Sequence, residues 1–322
     1  MRSIGRHVAK LSGFAPALPT PFTDRGDVDV AAFERFCDLQ IRAGATALVV
    51  CGTTGEAPTL RPAEHHMLVR IAVGVANGQV PVIAGAGSNS TAHAIELSKD
   101  AEAAGADAIL SVVPYYNKPT QIGMAAHFSA IAQSSGLPIF LYDVPSRTGC
   151  GLADDTVARL AELPTVIGLK DATGDATRVV RLRSRIGCDF RLMSGDDATA
   201  LAFIAADGNG CISVTSNVAP GLCRAMFLAC RHGQIANARR FAAPLDRLTV
   251  ALFRETSPVP LKYALSLLGL MAPNVRLPLV ELTDANKAEV AAAMAQLCEA
   301  QGGYAIGQMR GPTHNGPCAV AR

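Results

Sequence analysis

Short apolar runs alternate with longer amphipathic segments along most of this chain. The short runs are rich in Val, Ile, Leu and Ala and end at Gly, Pro or polar residues, which is the pattern of buried β-strands. The longer segments carry apolar residues at helical spacing. The pattern predicts strands over residues 14–22, 47–51, 80–84, 108–113, 138–142, 166–170, 191–194 and 210–214, separated by helices over 30–43, 62–76, 91–104, 121–134, 154–162, 176–186 and 197–206.

This alternation predicts an α/β fold in which parallel strands are covered by helices on their outer face. Eight similar units favour a closed (β/α)8 TIM barrel. The rival, an open doubly wound sheet, is disfavoured because Gly85-Ala-Gly87 lacks the third glycine of a dinucleotide-binding turn. We expect the barrel over residues 12–225, a C-terminal helical region packed on it over 226–300, and a poorly ordered tail over 301–322.

Composition and charge exclude several classes of protein. Of the 322 residues, 49% are hydrophobic and 17% are charged, which is typical of a globular protein. The net charge of +2 does not indicate the basic surface that a nucleic-acid-binding protein needs. The arginines at 178, 181, 183 and 185 are interpreted as a solvated helix face. Neither a membrane span nor a secretory signal is evident, so a cytoplasmic location is expected. The nine cysteines form no CxxC pair and are expected to be small buried thiols in a reducing compartment rather than disulfides or zinc ligands.

Lys170 ends one of the predicted strands. Side chains alternate along a strand, so Val166, Gly168 and Lys170 share one face. Gly168 is expected to leave room for a small molecule beside the lysine. Poor solvation of the ammonium there favours the free amine, which can attack a ketone and form a Schiff base. The alternative is a lysine that simply reaches water from the end of its strand.

Other polar side chains follow the ends of the predicted strands, where barrel enzymes place their catalytic groups. Each has a plainer alternative, since tyrosines often anchor loops, Thr-Thr between glycines can be a turn, and an arginine can be a surface residue. No metal site is expected, because His65, His66, His93 and His127 do not follow a ligand pattern, and we reject a metal-dependent aldolase. The strand-end residues are Thr53, Thr54, Tyr115, Tyr116, Tyr142, Arg147, Ser194, Gly195 and Ile212.

Five of these strand ends carry recognisable motifs. From about Phe14 to about Leu282 the chain resembles the pyruvate-dependent Schiff-base aldolases of the dihydrodipicolinate synthase and N-acetylneuraminate lyase family. Two positions depart from the synthase pattern: Asp143 stands where asparagine is usual, and Asp171 where glutamate is usual. Little effect is expected from either. The motifs are GTTGE at 52–56, VPYYNKP at 113–119, LYDVPSRTG at 141–149, GLKDATG at 168–174, and SGDD at 194–197 with GCISVT at 210–215.

The resemblance implies a reaction and a set of residue roles. Lys170 would form an imine with pyruvate, and the derived enamine would attack L-aspartate-4-semialdehyde to give 4-hydroxy-tetrahydrodipicolinate, in lysine and diaminopimelate biosynthesis. Tyr142, Thr53 and Tyr116 would relay protons. No cofactor is implied, because pyruvate itself is bound covalently. A homotetramer, a dimer of dimers, is implied, with Tyr116 reaching across an interface. Thr54 and Arg147 would hold the two substrate carboxylates, while Gly195 and Ile212 would line the site by their backbone.

Alternatives to this activity remain open. Another member of the family would use the same chemistry on a sugar acid, as N-acetylneuraminate lyase and the keto-deoxy sugar acid aldolases and dehydratases do. A more distant alternative is a non-catalytic protein that binds keto acids.

The resemblance also bears on feedback inhibition. Members of the family that lysine inhibits bind it in an interface pocket, to which Tyr115, Asn89, His93 and His65 correspond here. His93 stands where those enzymes have a glutamate, and Ala57 and Pro62 replace a hydroxyl and a histidine. We therefore expect weak or absent inhibition by lysine.

Overall fold

Parallel strands form the inner wall of the molecule. The computed structural model describes residue 8 and residues 11–301, and its strands are short and almost wholly buried, as the apolar runs predict. Each lies within or close to its predicted span. The strands are β1 (Gly13–Pro16), β2 (Leu48–Val50), β3 (Val82–Gly85), β4 (Ala108–Val112), β5 (Ile139–Asp143), β6 (Val166–Asp171), β7 (Arg191–Ser194) and β8 (Gly210–Ser213).

The strands close into a barrel. Their order is β1-β8-β7-β6-β5-β4-β3-β2, and every ladder between neighbours is parallel. The remaining gap, between β1 and β2, is spanned by a parallel bridge between Ala17 and Val49, next to which the Leu18 N–H donates to the Val49 carbonyl at 2.8 Å. The predicted TIM barrel is confirmed.

Helices cover the outside of the barrel. Asp29, Ser90 and Thr120 each begin a helix by accepting a hydrogen bond from a backbone N–H of its first turn. The barrel helices are α1 (Val30–Arg42), α2 (Pro62–Ala76), α3 (Thr91–Ala103), α4 (Gln121–Ser134), α5 (Pro145–Thr148), α6 (Asp154–Leu160), α7 (Arg178–Arg183) and α8 (Ala200–Ala205). The C-terminal helices are α9 (Pro220–Arg231), α10 (Ile235–Leu252), α11 (Val259–Leu267) and α12 (Asp284–Gln301).

Two apolar clusters result from the alternation of side chains along the strands. One fills the barrel interior and includes Val49, Ile83, Phe140, Met193 and Ile212, with Tyr142 among them. The other lies between the strands and the surrounding helices. A residue and its neighbour on the same strand therefore face different environments, one inside the barrel and one in the helix layer.

The C-terminal helices pack on the barrel and on each other. Helix α9 spans the boundary expected at residue 225, and the division into two regions stays a prediction. Apart from Gln301, the predicted tail lies outside the described residues. Of the helices described, none is both long and apolar enough to cross a membrane. The described cysteines are free: Cys37, Cys51, Cys211, Cys223 and Cys230 are buried, Cys150 is half-buried and Cys188 is exposed, so the expected burial is wrong for Cys188.

Candidate active site

Lys170 and Tyr142 lie side by side at the carboxyl-end mouth of the barrel. They are directly paired across β5 and β6, and the Lys170 Nζ lies 4.3 Å from the centroid of the Tyr142 ring. Each residue is only 6% exposed. The alternative of a lysine reaching freely into water is therefore wrong, and the amine is held against an aromatic face.

A glycine makes room for Lys170, but it is not the one expected from the sequence. A Cβ on Gly168 would lie 2.5 Å from the Phe140 ring and 2.6 Å from the Arg191 carbonyl, so packed protein fills the space that was expected to receive a ligand. Gly195 has this role instead, because a Cβ there would lie 2.9 Å from Cε of Lys170. The expectation that Gly168 leaves room for a small molecule is therefore wrong.

A cavity of about 670 Å³ opens above the lysine. It brings together six of the predicted site residues, from the ends of four strands. Ile212 is 1% exposed in the barrel interior and is not among the residues that line this cavity. The lining residues include Thr53, Thr54, Tyr142, Arg147, Lys170, Gly195, Asp196 and the segment 253–257.

Arg147 lies on the single turn α5, which Pro145 begins and Gly149, at a φ of 70°, ends. Its side chain is exposed, and its Nη2 donates to the carbonyl of Ser257 at 3.3 Å. Segment 253–257, between α10 and α11, thus forms a wall of the cavity. Sequence reasoning missed this wall because the segment lies far from any predicted strand end.

Two buried contacts hold the turn that carries Thr53 and Thr54. Thr20 donates to the Gly55 carbonyl at 2.7 Å, and the buried carboxylate of Glu56 pairs with Lys262 of α11. Burial lowers the pKa of Lys262 to about 8, although its partner Glu56 opposes that shift. Lys262 was not predicted as part of the site, and nothing in its local sequence marks it as buried.

A second cavity, of about 490 Å³, adjoins the first, and Thr53, Tyr142, Val144 and Arg147 face both. Of the residues expected in the regulatory pocket, His65, His93 and Tyr115 line the second cavity. Asn89 is not among its lining residues, and its carbonyl accepts from the Asn117 side chain at 2.9 Å.

The two histidines of this cavity differ in character. His65 is 4% exposed, its Nε2 donates to the Gly85 carbonyl at 2.7 Å, and burial lowers the pKa of its imidazole, which favours the neutral ring. His93 is exposed, with its Nδ1 3.3 Å from a carboxylate oxygen of Glu96.

Tyr116 lines neither cavity. It is 89% exposed, the largest exposed fraction among the large hydrophobic side chains described, and its backbone has a φ of 71°. A positive φ at a non-glycine residue costs free energy and is often found at functional sites. Within one chain, therefore, Tyr116 does not join Tyr142 and Thr53.

Arg178 is buried, so the prediction of a solvated face is wrong for this arginine. It is 3% exposed and its Nη1 donates to Asp143 at 2.8 Å, with Asp171 at 3.4 Å. Burial raises the pKa of Asp143, and the Arg178 guanidinium acts against that shift. The prediction is also wrong for Arg183, whose side chain is only 13% exposed and donates to the Phe190 carbonyl at 2.8 Å. Arg181 and Arg185 do lie half-exposed.

No group of three or more His, Cys, Asp and Glu side chains within the described part of the chain is arranged to hold a metal ion. The site chemistry that the structure offers is that of a buried amine, a phenol, hydroxyl groups and a guanidinium around one cavity.

A parallel barrel with these groups at its carboxyl-end mouth is the architecture of the TIM-barrel lyases. The chain belongs to the dihydrodipicolinate synthetase family, whose model matches residues 10–297. The resemblance seen in the sequence motifs is thereby confirmed.

Relatives agree with this assignment. A protein of Hyphomonas neptunium named 4-hydroxy-tetrahydrodipicolinate synthase is 54% identical over 285 residues, which cover 88% of this chain and 97% of the relative. The crystal structure of a chloride-inhibited dihydrodipicolinate synthase from Acinetobacter baumannii, complexed with pyruvate, has a TM-score of 0.87 and 40% identity, covering 89% of this chain and 98% of that one. A monomeric dihydrodipicolinate synthase variant has a TM-score of 0.88 and 37% identity, covering 91% and 98%.

Proposed function

We propose that this protein is a lyase that condenses pyruvate with L-aspartate-4-semialdehyde to form 4-hydroxy-tetrahydrodipicolinate, a step of lysine and diaminopimelate biosynthesis. The observation that carries the proposal is the Lys170–Tyr142 pair, a buried amine 4.3 Å from a phenol ring at the floor of a 670 Å³ cavity. Relatives of about 50% identity carry the name of this activity, and one solved relative is complexed with pyruvate.

The proposed reaction starts at Lys170. Its free amine attacks the ketone carbon of pyruvate, and loss of water leaves a protonated imine on the Nζ. The positive nitrogen withdraws electrons from the methyl group, so a methyl proton can leave and an enamine forms. The enamine carbon then adds to the aldehyde carbon of the second substrate, whose oxygen takes up a proton. Attack of the second substrate's amine on the imine carbon closes the ring and releases Lys170.

Each of these steps moves a proton, and a phenol is a poor base near neutral pH. A relay through several hydroxyls answers this difficulty, and Tyr142 and Thr53 both line the cavity. We assign Tyr116 as the third member of the relay, supplied by a neighbouring subunit. Its exposure and its left-handed backbone support this assignment.

Two groups are suited to hold the substrate carboxylates. Thr53 and Thr54 line the cavity. We assign their hydroxyls, and the backbone N–H groups of their turn, to binding the pyruvate carboxylate. Arg147, whose planar guanidinium can pair with a carboxylate through two hydrogen bonds, is assigned to the semialdehyde. Gly195 and Ile212 were both expected to line the site by their backbone; Gly195 lines the cavity and is assigned this role, whereas Ile212 lies in the barrel interior and is not.

The proposal extends to assembly and location. A relay completed by Tyr116 needs at least a dimer, and the homotetramer expected from the motifs contains such dimers. The monomeric synthase variant among the solved relatives makes the oligomeric state a point to measure. Sedimentation or light scattering would decide it. The cytoplasmic location expected from the sequence stays a prediction.

Borohydride trapping tests the central step. The protein is treated with pyruvate and sodium borohydride, digested, and searched by mass for a reduced adduct. The adduct is expected on Lys170, whereas the exposed Lys99 and Lys118 are internal controls for unspecific reaction. Lys170→Arg keeps the charge but removes the attacking amine, so it should fold and show no adduct. Absence of label on Lys170 in the wild type would overturn the proposed function.

A further inference from the structure

We propose that Arg178 is a positioning residue, which holds Lys170 and Tyr142 in register by fixing the aspartates that follow each of them. The inference rests on the proposed function, since it assigns a role in that reaction. Arg178 touches neither cavity and lies in the layer between the strands and the helices.

The register of two strands connects this arginine to the catalytic pair. Tyr142 and Lys170 are direct partners across β5 and β6, and so are the next residues, Asp143 and Asp171. Because side chains alternate along a strand, the first pair faces the barrel mouth and the second pair faces the helix layer. A link between the two aspartates on the outside therefore fixes the relative position of the lysine and the tyrosine on the inside.

Arg178 provides that link with every edge of its guanidinium. Nη1 donates to Asp143 at 2.8 Å and to Asp171 at 3.4 Å, while Nε donates to Asp154 at 2.9 Å and Nη2 to the Leu152 carbonyl at 2.6 Å. Only a planar group with several N–H donors in fixed directions can meet all these acceptors together. A lysine at this position would keep the charge but lose the geometry.

The same network continues to the next strand. The Ala172 N–H donates to the Asp143 carbonyl at 2.8 Å, and the Gly195 N–H donates to the Asp171 carbonyl at 2.6 Å. Asp171 also accepts from the N–H and the hydroxyl of Thr173, at 2.9 and 2.7 Å. Gly195 packs against the Lys170 side chain, and the Tyr142 ring lies beside the Lys170 amine. The cluster that Arg178 completes therefore fixes the positions of both Gly195 and Tyr142 relative to Lys170.

The cluster is a costly way to stabilise a fold. Asp143, Asp171 and Arg178 are each at most 3% exposed, and Oδ1 of Asp143 finds no hydrogen-bond partner among the described residues. Burying charges costs desolvation free energy, and apolar residues of similar volume often give equal or greater stability. A network that adds little to the free energy of unfolding, but whose hydrogen bonds have fixed directions, is suited to holding side chains in defined positions.

A pair of variants on one helix tests the inference. Arg178 and Arg181 both lie on α7 and both pair with Asp154, but Arg181 is half-exposed and contacts neither Asp143 nor Asp171. We compare Arg178→Lys with Arg181→Lys for kcat, for KM of pyruvate, and for the rate of borohydride-trappable imine formation in a single turnover. Circular dichroism and thermal melting record folding of each variant.

For Arg178→Lys, kcat and the imine rate are expected to fall by about ten- to a hundredfold, as small misplacements of reacting groups do. KM for pyruvate should stay within about twofold, because the carboxylate is assigned to the turn after β2 rather than to this cluster. Arg181→Lys should match the wild type in all three. A folded Arg178→Lys variant with wild-type kcat and imine rate would overturn the inference.

Asp143 supplies a second, milder pair in case Arg178→Lys does not fold. Asp143→Asn keeps an oxygen that accepts from Arg178, and its imine rate should stay within about threefold of the wild type. Asp143→Ala removes the acceptor and should slow imine formation about tenfold or more; equal rates for the two variants would contradict the inference. If the wild type and Arg181→Lys form no trappable imine at all, the proposed function fails instead.

Discussion

Lys262 and Glu56 form a fully buried ion pair although 206 residues separate them in the sequence. The Lys262 Nζ also donates to the Asn274 carbonyl at 2.6 Å and lies 4.1 Å from the centroid of the Phe22 ring. The other oxygen of Glu56 accepts from the N–H of Arg276 at 3.0 Å. Through this pair, helix α11 supports the turn that carries Thr53 and Thr54.

Lys262→Met should lower the free energy of unfolding by about 3 to 5 kcal/mol, because it leaves the Glu56 carboxylate buried without its partner. Lys287→Met is the matched control. Lys287 pairs with the exposed Glu281 and Asp284, and its loss should leave the free energy of unfolding nearly unchanged, because water screens exposed ion pairs. Denaturant unfolding measures both, and equal stability of the two variants would show that the buried pair is not needed.

Arg147→Ala should impair use of the semialdehyde much more than imine formation. One charge-assisted carboxylate contact contributes about 1.5 to 3 kcal/mol, so kcat/KM for the semialdehyde should fall by about one to two powers of ten. Arg254→Ala is a control within the same cavity, where Arg254 lies 3.3 Å from Glu289, and its effect should be smaller. A cleavage assay with N-acetylneuraminate tests the substrate specificity of the wild-type protein. Cleavage at a rate that matches the condensation would favour the sugar-acid alternative.

Hybrid oligomers test whether Tyr116 acts across an interface. Tyr116→Phe and Lys170→Arg should each be nearly inactive alone. A mixed dimer contains one site with both Lys170 and Tyr116 intact if the tyrosine comes from the neighbouring chain, so equal co-refolding should restore roughly a quarter of the wild-type activity. No recovery is expected if Tyr116 serves its own chain, and that result would remove it from the proposed relay.

Lysine is expected to inhibit weakly or not at all. His93 lines the second cavity at the position where lysine-sensitive members of the family have a glutamate, and an imidazole cannot replace a carboxylate as partner for an ammonium. Glu56 cannot compensate, because both of its oxygens are engaged by Lys262 and Arg276. The missing contact corresponds to about 1.5 to 3 kcal/mol.

A titration with L-lysine measures this directly. His93→Glu should strengthen inhibition, by up to about one or two powers of ten if the carboxylate alone is missing. Half-inhibition of the wild type at submillimolar lysine would show that the charge argument is wrong.

The barrel and most of the cavity could be predicted from the sequence, because apolar periodicity dictates the strands and a barrel brings strand ends together. Lys170, Tyr142, Arg147 and the Thr53–Thr54 turn meet for that reason alone. Periodicity carries no information on how far apart in the sequence the partners of a buried charge lie. From the sequence, Arg178 was therefore interpreted as a surface arginine, although it is buried and pairs with Asp143 and Asp171.

Glycines show the same limit. A glycine in a strand indicates close packing, but what packs there depends on the neighbouring strands. Gly168 faces the Phe140 ring of β5, whereas Gly195, just after β7, lies against the lysine of β6. The segment 253–257 was missed for a related reason, since a loop between helices reaches the barrel mouth only through the packing of the C-terminal region.

The contact between Gly195 and the Lys170 side chain has a consequence for directed evolution of this enzyme. Saturation libraries that aim at new aldehydes usually randomise every residue that lines a cavity. At position 195, any residue other than glycine brings its Cβ to 2.9 Å from the Lys170 Cε and so displaces the amine that we propose as the nucleophile, whatever aldehyde is offered. Residues 253–257 line the same cavity and contact Arg147 through the Ser257 carbonyl, so libraries built there are expected to change the choice of aldehyde while they keep glycine beside Lys170.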